Sequence, residues 1–187
     1  ATFPHQVYGG QETTATLMTG TTPAHHSIMA DQYFSRTDRK ALPILHDKHA
    51  SGIGTELQLS PRSILSTTMT DEWRMLRGTQ AKIYAIGLQA EATVLMAGHA
   101  ANACCWLDAD TRKWVTTSFY PEGLPTTADE MNMNGRIDML AEREWIPRMD
   151  IAMYNRPTDK ESKRGFSYQN KDCLLQSPAA NTLVIEL

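Results

Sequence analysis

The sequence predicts an α/β fold, a sheet flanked by helices, and three stretches carry that expectation. Residues 60–78 read as an amphipathic helix, and residues 82–87 read as a buried strand directly after it. Residues 103–118 read as a strand pair around a polar turn. The composition is that of a globular protein: 187 residues, 41% apolar, 21% charged, formal net charge −3. One domain is expected at this length, with a core that needs no metal or disulfide staple.

Taken in order, the flexible pair Gly9-Gly10 precedes a short helix over 12–18. A hairpin runs from 31–35 through Thr37-Asp38-Arg39 to 41–45. Ser60 suits a helix cap and Pro61 a first helical position, with Ile64, Leu65, Thr68, Met69, Trp73 and Leu76 on one face before Gly78 ends the helix. The strand at 82–87 follows, and the second hairpin returns through 108–113 to 114–118. Pro125 and Thr126 open a helix through about residue 142, with Met131, Met133 and Met139 on one face. Residues 156–165 read as an exposed, charge-rich loop, and 181–187 have strand composition. There is no repeat and no low-complexity tract.

Several function classes are excluded by charge and hydropathy. The net charge is near zero and the densest basic stretch, 156–164, is interleaved with Asp159 and Glu161, so no nucleic acid or anionic membrane is expected as a partner. No apolar run reaches the ~18–20 residues of a membrane span, because Gln89 and Glu91 interrupt 83–96. The first residues lack the basic and apolar regions of a secretion signal, which is expected to have been removed or to lie outside this sequence. Cys104, Cys105 and Cys173 read as buried thiols.

The histidines raise the question of a metal. His46 and His49 stand three apart around Asp47, but no H-E-x-x-H or paired C-x-x-C spacing is present, so these residues and His25-His26 read as surface or packing residues and no metal ligand is assigned. His99 sits among small neighbours in Ala97-Gly98-His99-Ala100, which allow close backbone approach. The stretch from Gly9 to Thr14 opens a helix, whose free N–H groups suit an anion, yet it lacks the lysine of a Walker loop and also reads as a plain capped helix. The methionines read as core filling, and Tyr33-Phe34, Trp106 and Trp114 as hairpin packing.

Thr19-Gly20-Thr21-Thr22-Pro23-Ala24-His25-His26-Ser27-Ile28 resembles the T-G-x-x-P-x-x-H-G-I segment of the alkaline phosphatase superfamily. Leu59-Ser60-Pro61-Arg62, Thr70-Asp71-Glu72, Ala97-Gly98-His99-Ala100-Ala101-Asn102-Ala103 and Trp106-Leu107-Asp108 extend the resemblance to bacterial phosphate-irrepressible alkaline phosphatases, relatives of nucleotide pyrophosphatase/phosphodiesterases. It covers most of 10–120, and 177–187 resembles a later S-P-x-x-N-T-L stretch more loosely. The resemblance implies part of an alkaline-phosphatase-like sheet flanked by helices, with inserted β-hairpins. It also implies a site with two zinc ions and a Thr or Ser nucleophile that hydrolyses phosphate esters through a phosphoenzyme.

At the family's phosphate-handling positions this chain differs. Nine residues before Thr19, where the nucleophile belongs, stands Gly10, and the proline and histidine that follow it fall on Glu12 and Thr14. The phosphate-contacting asparagine falls on Asp31, and the lysine and arginine before A-G-H fall on Gln89 and Glu91. The implied reading is a single partial domain over 1–187, without the flanking segments that carry the family's metal ligands, catalytically inactive and serving binding or assembly. It has no cofactor of its own, takes other segments or chains as partners, leaves room for a phosphoester ligand, and is periplasmic or at the cell surface. The alternative is a zinc-dependent phosphomonoester or phosphodiester hydrolase in which Thr13 or Thr14 replaces the nucleophile.

Overall fold

Alternation along one strand organises the molecule. In the computed structural model, which describes residues 9–146, 148–149, 153, 166–167 and 174–187, Ala103–Asp108 forms a strand buried over nearly its whole length. Numbered in chain order it is β5, after β1 (Gln32–Ser35), β2 (Lys40–Pro43), β3 (Gly52–Ile53) and β4 (Tyr84–Gly87), and before β6 (Lys113–Thr117). Successive side chains of a strand point to opposite faces. Cys104 and Trp106 accordingly join one core with Ala15, Leu45, Leu59, Val94, Leu95 and Val115, while Cys105 and Leu107 join a second with Trp114, Met131, Leu140 and Leu183.

The main sheet has the order β3-β6-β5-β4. β4 and β5 are parallel and are joined through helix α4 (Ala90–Ala97), as a parallel pair requires a crossover. β5, β6 and β3 pair antiparallel, with Trp106 opposite Val115 and Gly52 opposite Thr117. Helices α1 (Gln11–Thr19) and α4 pack on each other and serve the first core. Helices α5 (Thr126–Met133), α6 (Arg136–Ala141) and α7 (Pro178–Ile185) serve the second. β1 and β2 form a separate hairpin, α2 (Pro23–His26) is one short turn, and Glu144–Trp145 pairs with Phe166–Ser167. The expected α/β class with an inserted hairpin is what the chain adopts.

Several expectations change. The long helix from Ser60 becomes a 3₁₀ turn at Pro61–Ser63, an extended link, and helix α3 (Met69–Arg77). Ser60 does cap the turn, but Ile64 is extended and Thr68 starts a second helix through a capping box with Asp71. The face expected in the core is largely exposed: Leu65 and Leu76 are each 75% accessible and Met69 66%. The helix from Thr126 breaks at Asn134-Gly135, glycine having among the lowest helix propensities, and of its methionines Met131 is buried while Met133 and Met139 are exposed.

Residues 181–187 are not a strand. Ser177-Pro178 opens α7, Ala179, Ala180 and Leu183 face the core, and tertiary packing overrides the branched composition. Tyr33 and Phe34 are exposed, unlike the buried Trp106 and Trp114. Residues 156–165 and Cys173 lie outside the described residues.

Candidate functional site

The N-terminus of α1 is built on a conformation open to glycine. Gly10 has φ 106° and ψ −162°, so its carbonyl accepts from Thr14 N–H at 3.3 Å while its α-carbon offers no side chain. No side chain of Gly10 can cap the helix, and Asp31 does so from across the chain: Gln11 N–H donates to Asp31 Oδ1 at 2.8 Å. Asp31 is held at the foot of the β1–β2 hairpin, where its carbonyl accepts from Ile44 N–H at 2.9 Å.

A Cβ on Gly10 would stand 2.7 Å from Asp31 Oδ1 and 3.0 Å from Glu12 Oε2. Two carboxylates therefore converge on the one position from which a side chain of residue 10 would reach outward. Anions are favoured at a helix N-terminus, and here the protein supplies its own.

The two threonines lie inside the first turn. Thr14 Oγ1 donates back to the Gly10 carbonyl at 3.4 Å, and Thr13 Oγ1 is buried with no hydrogen bond among the described residues. Gln89 and Glu91 lie elsewhere. Gln89 is exposed at the N-cap of α4 and lines a cleft of about 820 Å³ with Ile86, Leu88, Thr93, Gln176 and Asn181; Glu91 is half-buried in the first turn of α4. Gly10, Glu12 and Asp31 are thus together, whereas no hydrogen bond joins them to Gln89 or Glu91 among the described residues.

His25, His26 and His99 are each held by a hydrogen bond through the ring. His26 is buried; Ile28 N–H donates to its Nδ1 at 3.1 Å, which leaves the ring proton on Nε2 to donate to Thr16 Oγ1, also at 3.1 Å. Ser27 next to it has φ 69°, the left-handed conformation suited to the glycine of the family motif, and its hydroxyl donates to the Ser63 carbonyl. Asp47 accepts from Ser60 Oγ at 2.7 Å and from Arg62 at 2.9 Å, which ties the Ser60-Pro61-Arg62 turn rather than completing a metal site with His46 and His49.

His99 Nδ1 meets Asp71 Oδ2 at 2.8 Å, and Asp71 Oδ1 accepts from the N–H groups of His99 and Ala100 at 2.7 and 2.9 Å. Burial opposes the charge on Asp71, but bonds from His99 and Thr68 outweigh it and hold its carboxyl down to about 2. The bond to Asp71 raises His99 above its ordinary value against its own burial. Gly98, with φ 69°, allows this approach, since a Cβ there would collide with Thr68 Oγ1. The Thr68-x-x-Asp71 spacing carried this signal in the sequence, whereas nothing in it marked Glu12 as facing Gly10.

Among the described residues no three His, Cys, Asp or Glu side chains converge to hold a metal. The two zinc ions implied by the resemblance do not fit these residues, and no chemical step here runs through them. Burial pushes the thiol of Cys105 up to about 12 and that of Cys104 higher still, leaving neither a nucleophile.

Comparison with known proteins places this geometry. The solved structure of wild-type alkaline phosphatase PafA superposes with a TM-score of 0.79 over 95% of this chain and 38% of that one, at 22% identity. The chain carries the alkaline phosphatase superfamily fold. A PafA variant with a threonine, an asparagine, a lysine and an arginine substituted matches at a TM-score of 0.78 and 24% identity, over 94% of this chain and 38% of that one. In sequence, alkaline phosphatase PafA of Elizabethkingia meningoseptica is 24% identical over 91% of this chain and 35% of its own length. Alkaline phosphatase PhoV of Synechococcus elongatus is 26% identical over 77% of this chain and 27% of its own. A protein named calcium-transporting ATPase from Myroides odoratus is 28% identical over 75% of this chain and 26% of its own. The chain thus spans about a quarter to a third of the curated relatives it matches. No family model matches. No helix among the described residues is long and apolar enough to cross a membrane.

Proposed function

We propose that this part of an alkaline-phosphatase-like domain does not transfer phosphate and serves as a binding or assembly module, in the periplasm or at the cell surface. The observation that carries the reading is the convergence of Asp31 and Glu12 on Gly10. A phosphate brought to the α1 N-terminus meets a carboxylate already on the Gln11 N–H, and two negative charges at such range repel. The substituted threonine and asparagine of the PafA variant are spaced as Gly10 and Asp31 are, and its lysine and arginine as Gln89 and Glu91 are. That agreement supports the matching of these four positions, at which this chain has lost a hydroxyl, a neutral donor and two cations.

The partner in this reading is the polypeptide that completes the sheet. Among the described residues β4 is a terminal strand, and beside it α3 exposes Met69, Trp73 and Leu76 over a cleft of about 660 Å³ that also touches Lys82 and Tyr84. An open edge next to apolar side chains suits an added strand.

The displaced-nucleophile reading retains Thr13, whose hydroxyl has no partner among the described residues. The two are separated by assaying the native protein carrying this sequence, zinc-supplemented, for p-nitrophenyl phosphate hydrolysis and for phosphate binding. No turnover, with phosphate affinity rising in Asp31→Asn, is expected. Turnover that Thr13→Ala or Thr14→Ala abolishes would overturn the proposal.

A further inference from the structure

We infer that His99 is a pH-operated latch: as an imidazolium it clamps the N-terminus of α3 and the turn at 61–64 to the end of α4, and at alkaline pH it lets one of them go. The argument is geometric. His99 Nδ1 faces the Asp71 carboxylate at 2.8 Å and His99 Nε2 faces the Ile64 carbonyl at 3.2 Å. Both partners are acceptors only, and a neutral imidazole carries a single N–H. The ring satisfies both contacts at once when it is doubly protonated, with Asp71 as its counter-charge.

The surroundings reinforce that state. On α3, Asp71 is the charged group against the ring, with the hydroxyls of Thr68 and Thr70 beside it. After β6, Tyr120 donates to the Gly98 carbonyl at 2.9 Å and adds no cation. The Arg74 guanidinium is bound to the carbonyls of Ala100 and Ala81 and to Asn102, and Arg62 in the turn is bound to Asp47. The last turn of α4, which ends in Met96 and Ala97, offers no titratable side chain.

The sign follows from linkage. A histidine held above its ordinary value of about 6.5 stabilises the fold fully below that pH, and the contribution is lost as pH rises through the folded value. Asp71 acts at the other end: its contribution is present above about 3.8 and is lost as pH falls towards about 2. The latch is therefore closed at mildly acidic pH and opens as pH rises through the raised folded value of His99. Opening it takes the ring N–H from either the Ile64 carbonyl or the Asp71 carboxylate, which keeps its backbone donors, and so loosens a turn that is also tied to α2 through Leu65 N–H and the His26 carbonyl. This inference does not depend on whether the α1 end binds phosphate.

Nuclear magnetic resonance of the histidine rings in the full chain, with His99→Gln for assignment, tests it. The expected result is that the His99 ring carries two N–H groups at mildly acidic pH, with a titration midpoint above that of the same residue in the urea-unfolded chain. The melting-temperature advantage of the native chain over His99→Gln should also shrink as pH rises. A ring with one N–H at mildly acidic pH, a midpoint at or below the unfolded one, or an advantage constant from neutral to strongly alkaline pH would each overturn the latch. Asp71→Asn, where it folds, should lower the midpoint.

Discussion

Asp31 reaches across the chain to place its Oδ1 atom 2.7 Å from where Gly10 would carry a Cβ. The same oxygen accepts the first free N–H of α1. Gly10→Ala therefore meets both a disfavoured backbone conformation and a carboxylate, and should lose about 1–3 kcal/mol of stability. Urea unfolding reads the loss directly, and an unchanged midpoint would mean that the start of α1 relaxes around the new side chain.

Ser27 occupies a left-handed conformation while its hydroxyl ties α2 to the Ser63 carbonyl. Glycine relieves the backbone but forfeits the bond, whereas alanine forfeits the bond and keeps the strain. Ser27→Ala should be less stable than Ser27→Gly by about 1 kcal/mol. Equal midpoints would remove backbone strain from this account.

At the start of α3, Thr68 N–H donates to Asp71 Oδ2 at 3.0 Å and Asp71 N–H donates to Thr68 Oγ1 at 3.3 Å. Thr68→Ala should cost about 0.5–2 kcal/mol. Gly98→Ala should cost more, because its Cβ would displace the same hydroxyl. A Gly98→Ala chain as stable as the parent would contradict the close approach of the end of α4 to the start of α3.

The adjacent thiols of Cys104 and Cys105 are both fully buried. Neither should be alkylated by iodoacetamide until the chain unfolds, as peptide mapping by mass spectrometry would register. Rapid modification of either in the native state would require β5 to open.

Leu76 and Leu95 make the sharpest contrast. Leu76 is 75% exposed and Leu95 is inaccessible, so Leu76→Ala should change stability by less than about 0.5 kcal/mol and Leu95→Ala should cost about 2–5 kcal/mol. Comparable losses would mean that the α3 face is covered in solution.

That contrast also marks where the sequence was legible. Local alternation and turn chemistry located both hairpins and α1 because those signals act over a few residues. Periodicity placed Leu65, Met69, Trp73 and Leu76 on one face but says nothing of what lies opposite, and here little does. Ser60-Pro61 and Ser177-Pro178 carry the same start signal; the first yields one 3₁₀ turn because Thr68 and Asp71 begin a better-capped helix, and the second opens α7. At the candidate site, motif spacing picked out Gly10 and Asp31 as positions of interest. Their meeting depends on the hairpin's folding back, a long-range contact that no local pattern encodes.

β5 has a consequence for how the molecule comes apart. Because its alternate side chains are the floor of one hydrophobic layer and the ceiling of the other, neither layer can be lost while the strand keeps its place. The described residues that line the two layers are bound into one cooperative unit, and heating should melt both faces of the sheet in a single transition.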